Sequence, residues 1–543
     1  MATTILKTGA RYPLLSAVAL LTALTVIVTW PVALHLGTRV PGHDDPLFSI
    51  WRLSWIAHAL RQDPRYLFDA NIFYPHARTL AYSDAMLLEG IIAAPFMWAR
   101  INPVLVYNLM FLAGIVSSGA GMFVLARYLT GDVRAALVAA AVFTLAPYRI
   151  EHFIHLELQW TVWMPLTLWA MHRTFDEGTL RFGLLTGLFL WLQILSCVYY
   201  GAFLALVGGT LAVMLMAGRA DTARRAIGPL SLGALLALAL TVPYALPYLA
   251  NTQQLGPRPA AEVAMFSAKW GSYASAPQQN WLWGWTAWSF TGNELHLFPG
   301  VAATTLALLA LAWRPRRIIW IYLALTVLAV VLSLGLNGTV YRWLYDHVYT
   351  FRGFRAPARF AIFACCAMSV LAGFGFLFLE RHLLHGRPAR RLLLVATLVA
   401  IGVESGSSPI ALAAQPTAVP PVYRFLQTAP PSVIVEFPVS VYDPTYMFWS
   451  TYHWHSLVNG YSGYTPWDAL DTVRLMQTFP DDESVERLKA LNVRYVLVHQ
   501  AFYDPDDYND LMEAIAQRPE FVPGGRYRDW VGDTQIFEVR IKN

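Results

Sequence analysis

Long blocks of apolar residues, separated by short polar segments, dominate the chain as far as Ala411. Such blocks are typical of helices that face lipid, whereas the apolar residues of soluble helices and strands recur with a period of 3.6 or 2. A helix needs about 20 apolar residues to cross a bilayer. The pattern predicts about eleven transmembrane helices, over residues 13–34, 103–127, 134–148, 157–172, 181–197, 199–217, 227–249, 297–313, 317–336, 357–379 and 391–411.

Three of the connections are too long to be simple linkers, namely residues 35–102, 250–296 and 337–356. The first contains an amphipathic stretch, Phe48 to Leu60, whose Trp51 and Trp55 we expect at the membrane interface. It also contains an apolar stretch, Met86–Trp98, which is short for a span. We predict a re-entrant or interfacial helix there, because a true span would reverse the orientation of everything downstream.

The composition changes after residue 411, where a proline-rich linker leads into strands and helices typical of a soluble domain. The sequence therefore predicts a transmembrane domain over residues 1–411 and a soluble α/β domain over 412–543. The elements predicted in the second domain are the strands Ser432–Phe437, Val493–His499 and Thr534–Ile541, and the helices Asp482–Leu491 and Asp506–Gln517.

The composition agrees with a membrane protein, since 56% of the residues are hydrophobic and only 13% are charged. The net charge of +5 does not indicate nucleic-acid binding, because the basic residues lie in every second connection between the apolar blocks. Cytoplasmic loops carry the excess of Lys and Arg. We therefore predict a multi-pass protein of the inner (plasma) membrane, with its N-terminus cytoplasmic and its C-terminal domain periplasmic or otherwise extracytoplasmic. The basic residues are Arg127, Arg134, Arg173, Arg181, Arg219, Arg224, Arg225, Arg314, Arg316, Arg317, Arg381, Arg387, Arg390 and Arg391.

Two adjacent carboxylates, Asp44 and Asp45, follow the first apolar block by about ten residues. Desolvation near a membrane surface raises a carboxyl pKa and suits the group to take a proton. An equally weighted alternative is a turn, because Pro-Gly and Asp-Pro favour turns and Asp is a common helix N-cap.

A second polar cluster follows the third apolar block and contains Arg149, Glu151, His152 and His155. On a helix, residues 152 and 155 share a face, as do residues 151 and 155. This spacing resembles that of metal ligands without matching a zinc motif, and a hydrated face of an interfacial helix is the favoured interpretation.

Two arginines one helical turn apart, Arg355 and Arg359, lie on the predicted outer side, against the charge trend. A planar guanidinium binds phosphate bidentately, so we expect these residues to hold an anion. The alternatives are pairing with Asp346 or with anionic lipid headgroups.

The chain resembles the GT-C superfamily of membrane glycosyltransferases, near the bacterial YfhO-like group. The likeness lies in a first helix followed by an acidic motif in a large outer loop, about eleven spans and a C-terminal extracytoplasmic domain. The sequence strings that carry it are Asp45-Pro46 with Trp51 and Trp55, Ala70-Asn-Ile-Phe-Tyr-Pro-His76, Thr79-Leu-Ala-Tyr-Ser83, Ala146-Pro-Tyr-Arg149, Phe354-Arg-Ala-Pro-Ala-Arg-Phe360 and Asn459-Gly-Tyr-Ser-Gly-Tyr464.

The resemblance implies an inverting hexosyl- or pentosyltransferase that moves a sugar from a polyprenyl-phosphate-linked donor to a glycan, lipid or protein acceptor. Asp45 is the better match to the catalytic acid, and Asp44 is its neighbour. A divalent cation, Mg²⁺ or Mn²⁺, is compatible with the pattern, and its candidate ligands are Asp44, Asp45, Glu151 and His155. The candidate substrate-binding residues are Arg149, His152, His155, Arg355, Arg359 and Tyr461.

Two other functions compete with this one. A lipid or polysaccharide transporter or flippase would carry ionisable residues inside its spans and discontinuous helices in paired positions. A non-catalytic cell-envelope scaffold would tolerate the loss of both Asp44 and Asp45. The predicted spans are almost free of charges, which favours the transferase.

Overall fold

The structure, a computed structural model, describes residues 12–289, 294–313, 316–382, 386–416, 418–529 and 532–540. Contacts along the chain divide it into two compact units. A helical unit comprises residues 1–36, 108–246 and 256–412, and a mixed unit comprises residues 37–107, 247–255 and 413–543. Arg314, one of the basic residues in the connections between the apolar blocks, lies outside the described residues.

Five of the described helices are long and apolar enough to cross a membrane: Pro103–Thr130, Val133–Glu151, Val198–Met216, Ala220–Leu255 and Pro357–His382. The second of these is interrupted between Thr144 and Pro147. Shorter apolar helices cover Pro13–Val28, Leu87–Trp98, Leu180–Ser196, Val301–Leu311 and Arg317–Ser333. Helices also cover Trp163–Glu177, Ala260–Met265, Thr339–His347 and Arg387–Glu404.

Proline and glycine account for several differences from the predicted boundaries. The segment predicted over 134–148 is a helix over Val133–Thr144 and a second short helix over Pro147–Glu151, because the residue before a proline avoids the helical conformation. The segment predicted over 297–313 begins only at Val301, after Gly300 with its φ of 94°.

Small residues let helices of the helical unit approach closely. A Cβ atom added to Gly187 would lie 1.9 Å from the carbonyl oxygen of Gly233, and one added to Gly375 would lie 1.8 Å from that of Leu306. Close backbone contacts of this kind are typical of helices packed in a membrane. The buried core of the unit includes the stacked rings of Phe203 and Phe360, whose centroids are 3.6 Å apart.

The strands lie in the mixed unit, except that β2 begins at Leu412, the last residue of the helical unit. They are β1 (Arg39–Pro41), β2 (Leu412–Ala414), β3 (Val433–Phe437), β4 (Ser456–Leu457), β5 (Val493–His499), β6 (Phe521–Arg528) and β7 (Asp533–Val539). Five form one sheet in the order β4-β3-β5-β7-β6. β3 pairs in parallel with β4 and β5, whereas β7 is antiparallel to β5 and β6. The helices are Asp44–Gln62, Leu87–Trp98, Pro421–Thr428, Asp443–Ser450, Trp467–Leu475, Asp482–Ala490 and Pro505–Ala516.

The helix predicted as amphipathic over Phe48–Leu60 extends over Asp44–Gln62 and is buried on most of its circumference. Trp51 and Trp55 are not exposed interface anchors, and that expectation was wrong. Trp51 is fully buried and its indole donates to Asn71 Oδ1 at 3.1 Å, while the indole of Trp55 donates to the Leu67 carbonyl at 2.8 Å. Both indoles find their hydrogen-bond partners within the unit.

Candidate functional site

The two adjacent aspartates begin the helix Asp44–Gln62, with His43 at the N-cap position. Carboxylates in a first turn are stabilised by the helix dipole. Asp44 is exposed and its Oδ1 lies 2.8 Å from His43 Nδ1. The two aspartates therefore have different surroundings, because Asp45 is half-buried and contacts a distant part of the chain.

Tyr461 brings that distant segment to Asp45, since its hydroxyl donates to Asp45 Oδ1 at 3.0 Å. The Tyr461 ring also packs edge-on against Phe48, with centroids 5.5 Å apart. The neighbouring Asn459 is buried and donates to Asp443 Oδ1 and to the Glu436 carbonyl, both at 2.9 Å. The structure thus joins one predicted catalytic residue to one predicted substrate-binding residue.

Asp443 shares this network and carries an altered pKa. Burial raises the pKa of Asp443 to about 6, against the hydrogen bonds from Asn459, Gly460 and Ser440 that favour its charged form. Asn459 and Gly460 belong to the loop that carries Tyr461, and Ser440 follows β3. Because all three donate to the same carboxylate, the network holds that loop in place.

Arg149 lies in the helical unit and does not present a free guanidinium. The side chain is buried, and it donates to the Phe143 carbonyl at 2.9 Å, to Thr161 Oγ1 at 2.7 Å and to the Gln159 carbonyl at 3.3 Å. The Phe143 carbonyl lies in the last turn of the helix Val133–Thr144, and Gln159 is the last residue of a short helix, Leu156–Gln159. The contacts indicate a structural role, which differs from the predicted role in substrate binding.

Arg359 forms a buried ion pair that the sequence analysis missed. Its Nε and Nη2 atoms each donate to a different oxygen of Glu294 at 2.7 Å. Burial by itself would raise the pKa of Glu294, but the guanidinium of Arg359 lowers that pKa below its ordinary value. The pair neutralises the charge that we expected to hold a phosphate. Glu294 could have been noticed as a single carboxylate directly before an apolar block.

The two histidines of the second cluster lie beside this pair. His152 Nδ1 is 4.0 Å from Glu294 Oε2, and the rings of His152 and His155 have centroids 5.6 Å apart. Burial lowers the pKa of His152 to about 3, so its imidazole is neutral at physiological pH. Neither ring nitrogen of His152 has a hydrogen-bond partner among the described residues.

The predicted metal ligands are dispersed. Glu151 pairs with His296 Nδ1 at 2.8 Å rather than with His155, and Asp44 and Asp45 pair as described above. Within the described ranges, no three His, Cys, Asp or Glu side chains gather as a cation site would require. The residues present therefore do not assemble a Mg²⁺ or Mn²⁺ site by themselves.

Arg355 is the predicted cation that stays partly accessible, with 29% of its side chain exposed. Its Nε lies 4.0 Å from Glu262 Oε1, and its guanidinium lies over the ring of Phe266. A second arginine, Arg258, approaches the same carboxylate at 3.3 Å. Two guanidinium groups therefore lie at one carboxylate. Arg258 is a further outer-loop arginine that the sequence analysis overlooked.

No protein-family model and no curated protein sequence matches the chain. Several solved structures share its fold. An arabinofuranosyltransferase, AftD from Mycobacteria, superposes with a TM-score of 0.63 at 14% identity over 98% of this chain. The chain spans only 40% of the length of AftD.

Two further solved structures match over comparable shares of both chains. The oligosaccharyltransferase AglB from Archaeoglobus fulgidus, in complex with an inhibitory peptide and a dolichol-phosphate, gives a TM-score of 0.53 at 13% identity, covering 97% of this chain and 74% of AglB. ArnT from Cupriavidus metallidurans, bound to undecaprenyl phosphate, gives 0.50 at 16% identity, covering 96% and 97%. The chain therefore shares its fold with AftD, AglB and ArnT.

Proposed function

We propose that this chain is a membrane glycosyltransferase that moves a hexosyl or pentosyl unit from a polyprenyl-phosphate-linked donor to an extracytoplasmic acceptor, with inversion at the anomeric carbon. The fold shared with AftD, AglB and ArnT over nearly the whole chain carries this proposal. AglB and ArnT were solved with dolichol-phosphate and undecaprenyl phosphate, and we extend that ligand class to this chain. The narrower placement near the YfhO-like group belongs to the same proposal.

Asp45 takes the role of general base. The acceptor hydroxyl attacks the anomeric carbon, the bond from that carbon to the phosphate oxygen breaks, and the hydroxyl proton passes to the Asp45 carboxylate. The polyprenyl phosphate leaves with the electron pair of the broken bond. Tyr461 supports this role because its hydrogen bond to Oδ1 holds the carboxylate in one orientation.

Arg355 takes the role of phosphate ligand, together with Arg258. Both approach Glu262, and their guanidinium groups would stabilise the negative charge that develops on the departing phosphate. Arg359 serves instead to hold Glu294, and Arg149 to close two helix ends.

The proposed topology has eleven spans, a cytoplasmic N-terminus and residues 412–543 as an extracytoplasmic α/β domain. In that arrangement Asp45 and Arg355 both belong to connections on the outer side. The acceptor is then a glycan, lipid or protein of the cell envelope, in contact with membrane lipids.

Asp45→Asn tests the proposal, because Asn is nearly isosteric with Asp but cannot take the proton at neutral pH. Removal of a general base typically lowers the rate by about 100- to 10,000-fold. We expect a loss of that size in sugar transfer, measured with the chain in lipid nanodiscs, radiolabelled polyprenyl-phosphate sugars and envelope glycan acceptors.

Two controls accompany this measurement. Asp63→Asn changes an exposed aspartate in the same unit that pairs with Arg65, and it should leave transfer unchanged. Asp44→Asn should cost less than Asp45→Asn. Full transfer by the Asp44→Asn/Asp45→Asn double variant would overturn the catalytic role and favour the turn-and-cap interpretation.

A further inference from the structure

The mixed unit contains a pocket where two parallel strands end. Glu436 is the penultimate residue of β3 and His499 is the last residue of β5, and these strands are neighbours. Ligands of open parallel sheets bind in the crevice outside the carboxyl ends of the strands. A cavity of about 200 Å³ opens here. It is lined by residues of the segments that follow β3 and β5, by residues between 414 and 423 and between 529 and 534, and by His43.

Polar groups at the pocket floor are fixed in one orientation. His499 Nε2 lies 2.8 Å from Glu436 Oε2, and its Nδ1 lies 3.0 Å from Thr534 Oγ1. The Tyr423 hydroxyl donates to the same Glu436 oxygen at 2.7 Å. His499, Thr534 and Tyr423 line the cavity, while Glu436 lies fully buried behind them. The buried carboxylate holds two lining groups, His499 and Tyr423, and His499 in turn holds Thr534. Such a network preorganises a binding surface.

The walls are aromatic and arranged as parallel pairs. Tyr423 stacks on Trp449 with ring planes 13° apart, and Tyr442 stacks on Phe502 at 11° with centroids 3.9 Å apart. All four rings line the pocket. Small-molecule sites combine aromatic walls with a few fixed polar groups, and those for drug-sized ligands occupy roughly 300–1,000 Å³. The smaller volume here suits a ligand of one ring.

The charge of the lining selects the ligand class. Among the lining residues that the structure describes there is no Lys or Arg, whereas Asp529 and Asp533 contribute carboxylates. Asp533 is itself paired with Arg526. A phosphate or carboxylate would meet no cation in this pocket. A neutral ring that carries several hydroxyl groups matches both the carboxylates of the lining and the apolar ring faces.

We propose that this pocket binds one neutral sugar ring of a cell-envelope glycan and so presents that glycan next to the His43-Asp44-Asp45 segment. His43 belongs both to the pocket lining and to that segment. The sugar-binding property stands on the pocket alone, whereas its role as an acceptor subsite rests on the proposed transferase function.

Direct binding tests the proposal without any need for transfer. The probe is a set of fluorescently labelled oligosaccharides, neutral and amine-bearing, released by mild acid from the envelope polysaccharide of the source cell. The full chain in nanodiscs should bind the neutral members. Loss of one stacking ring in Tyr442→Ala or Phe502→Ala should raise Kd roughly tenfold or more. Thr445→Trp, which fills the cavity without removing a core ring, should abolish binding.

Trp467→Ala is the matched control, because Trp467 is an aromatic residue of the same unit that is 79% exposed and lies outside the pocket lining. It should bind like the wild type. Unchanged binding by Thr445→Trp, selective capture of amine-bearing probes or no binding by the wild type would overturn the pocket assignment. If Thr445→Trp no longer binds the neutral sugar but still shows sugar transfer to acceptors, the pocket is not the acceptor subsite, although the chain is still a transferase. Pocket-dependent binding by a chain without transfer activity would retain the pocket and end the transferase proposal.

Discussion

At the scale of single residues, the ion pair between Glu294 and Arg359 is a buried, bidentate contact of the helical unit. Both oxygens of the carboxylate accept from the guanidinium, and the two side chains are only 8% and 6% exposed. Removing one partner of a buried pair typically lowers the free energy of unfolding by roughly 3–5 kcal/mol, because the remaining charge is left without a counter-charge. The pair therefore has to be treated as a unit in any mutational study of Arg359.

Glu294→Gln should lower the unfolding temperature of the purified chain at pH 7 by several degrees. The deficit should depend on pH, because the folded-state pKa of Glu294 lies below its ordinary value. A lowered carboxyl pKa contributes stability above the unfolded pKa of about 4.3, and this contribution is lost as the pH falls toward the folded pKa. The difference from the wild type should therefore narrow between pH 5 and pH 3.

The control for this experiment is Glu177→Gln, which disrupts the more exposed pair of Arg173 and Glu177. Surface pairs contribute about 0–1 kcal/mol to stability, so this variant should unfold close to the wild-type temperature at pH 7 and throughout the range from pH 5 to pH 3. Equal unfolding temperatures for Glu294→Gln and Glu177→Gln at pH 7 would contradict the buried pair.

At the scale of elements, the strands show what a sequence reveals and what it hides. The run Val493–His499 was predicted with the bounds that the structure has, and Ser432–Phe437 is one residue shorter as β3. Both are apolar runs in the sheet interior. β6 was missed because Pro523, Gly524 and Gly525 argue against a strand, and such residues are tolerated at the sheet edge where β6 lies. Ile541, predicted to end the last strand, lies outside the described residues.

The candidate site was predicted in part for a similar reason. Adjacent carboxylates and arginines in a predicted outer connection stand out in a sequence with few charges, so Asp45 and Arg355 could be singled out as candidates. The partners that decide their roles come from distant segments: Tyr461 is 416 positions from Asp45, and Glu294 is 65 positions from Arg359. Spacing along the chain carries no information about such pairs, and only folding brings them together.

Helix packing through glycine gives a prediction at this scale. Gly187→Ala would place a Cβ atom 1.9 Å from the Gly233 carbonyl oxygen, so the helices Leu180–Ser196 and Ala220–Leu255 would have to separate. Overpacking of this kind typically costs about 1–3 kcal/mol. We expect a lower unfolding temperature in detergent for Gly187→Ala.

Gly209→Ala is the matched control, because Gly209 is also helical and an added Cβ would meet nothing within 4 Å. Alanine favours a helix over glycine by about 1 kcal/mol, so this variant should be as stable as the wild type or slightly more stable. Equal losses in the two variants would show that helix propensity, rather than the contact with Gly233, decides the result.

At the scale of the whole molecule, sequence order and compact units do not coincide. Residues 37–107 group with residues 413–543, although more than 300 positions separate them. The hydrogen bonds of Asn71 to Ser450 Oγ and to the His455 carbonyl illustrate this grouping. Parts of one compact unit have to be on the same side of the membrane unless a span intervenes within it. The predicted topology meets that condition, because it places the first outer loop and the C-terminal residues both outside.

The topology itself is the last prediction, and it follows from the charges of the connections. Reporter fusions after Arg225 and after Arg391 should read cytoplasmic, since both residues lie in the Arg-rich connections. Fusions at Gln279 and at the C-terminus should read extracytoplasmic. The hydrogen bond between Asn71 and Ser450 places the first outer loop and the C-terminal residues on the same side of the membrane, and cysteine labelling checks this independently. Cysteines introduced at solvent-exposed Arg65 and Arg474 should both react with a membrane-impermeant maleimide. The labelling uses intact cells, or spheroplasts where the cell has an outer membrane. A cytoplasmic C-terminus would contradict both the topology and the proposed site, because Tyr461 and Asp45 could not then act on an extracytoplasmic acceptor.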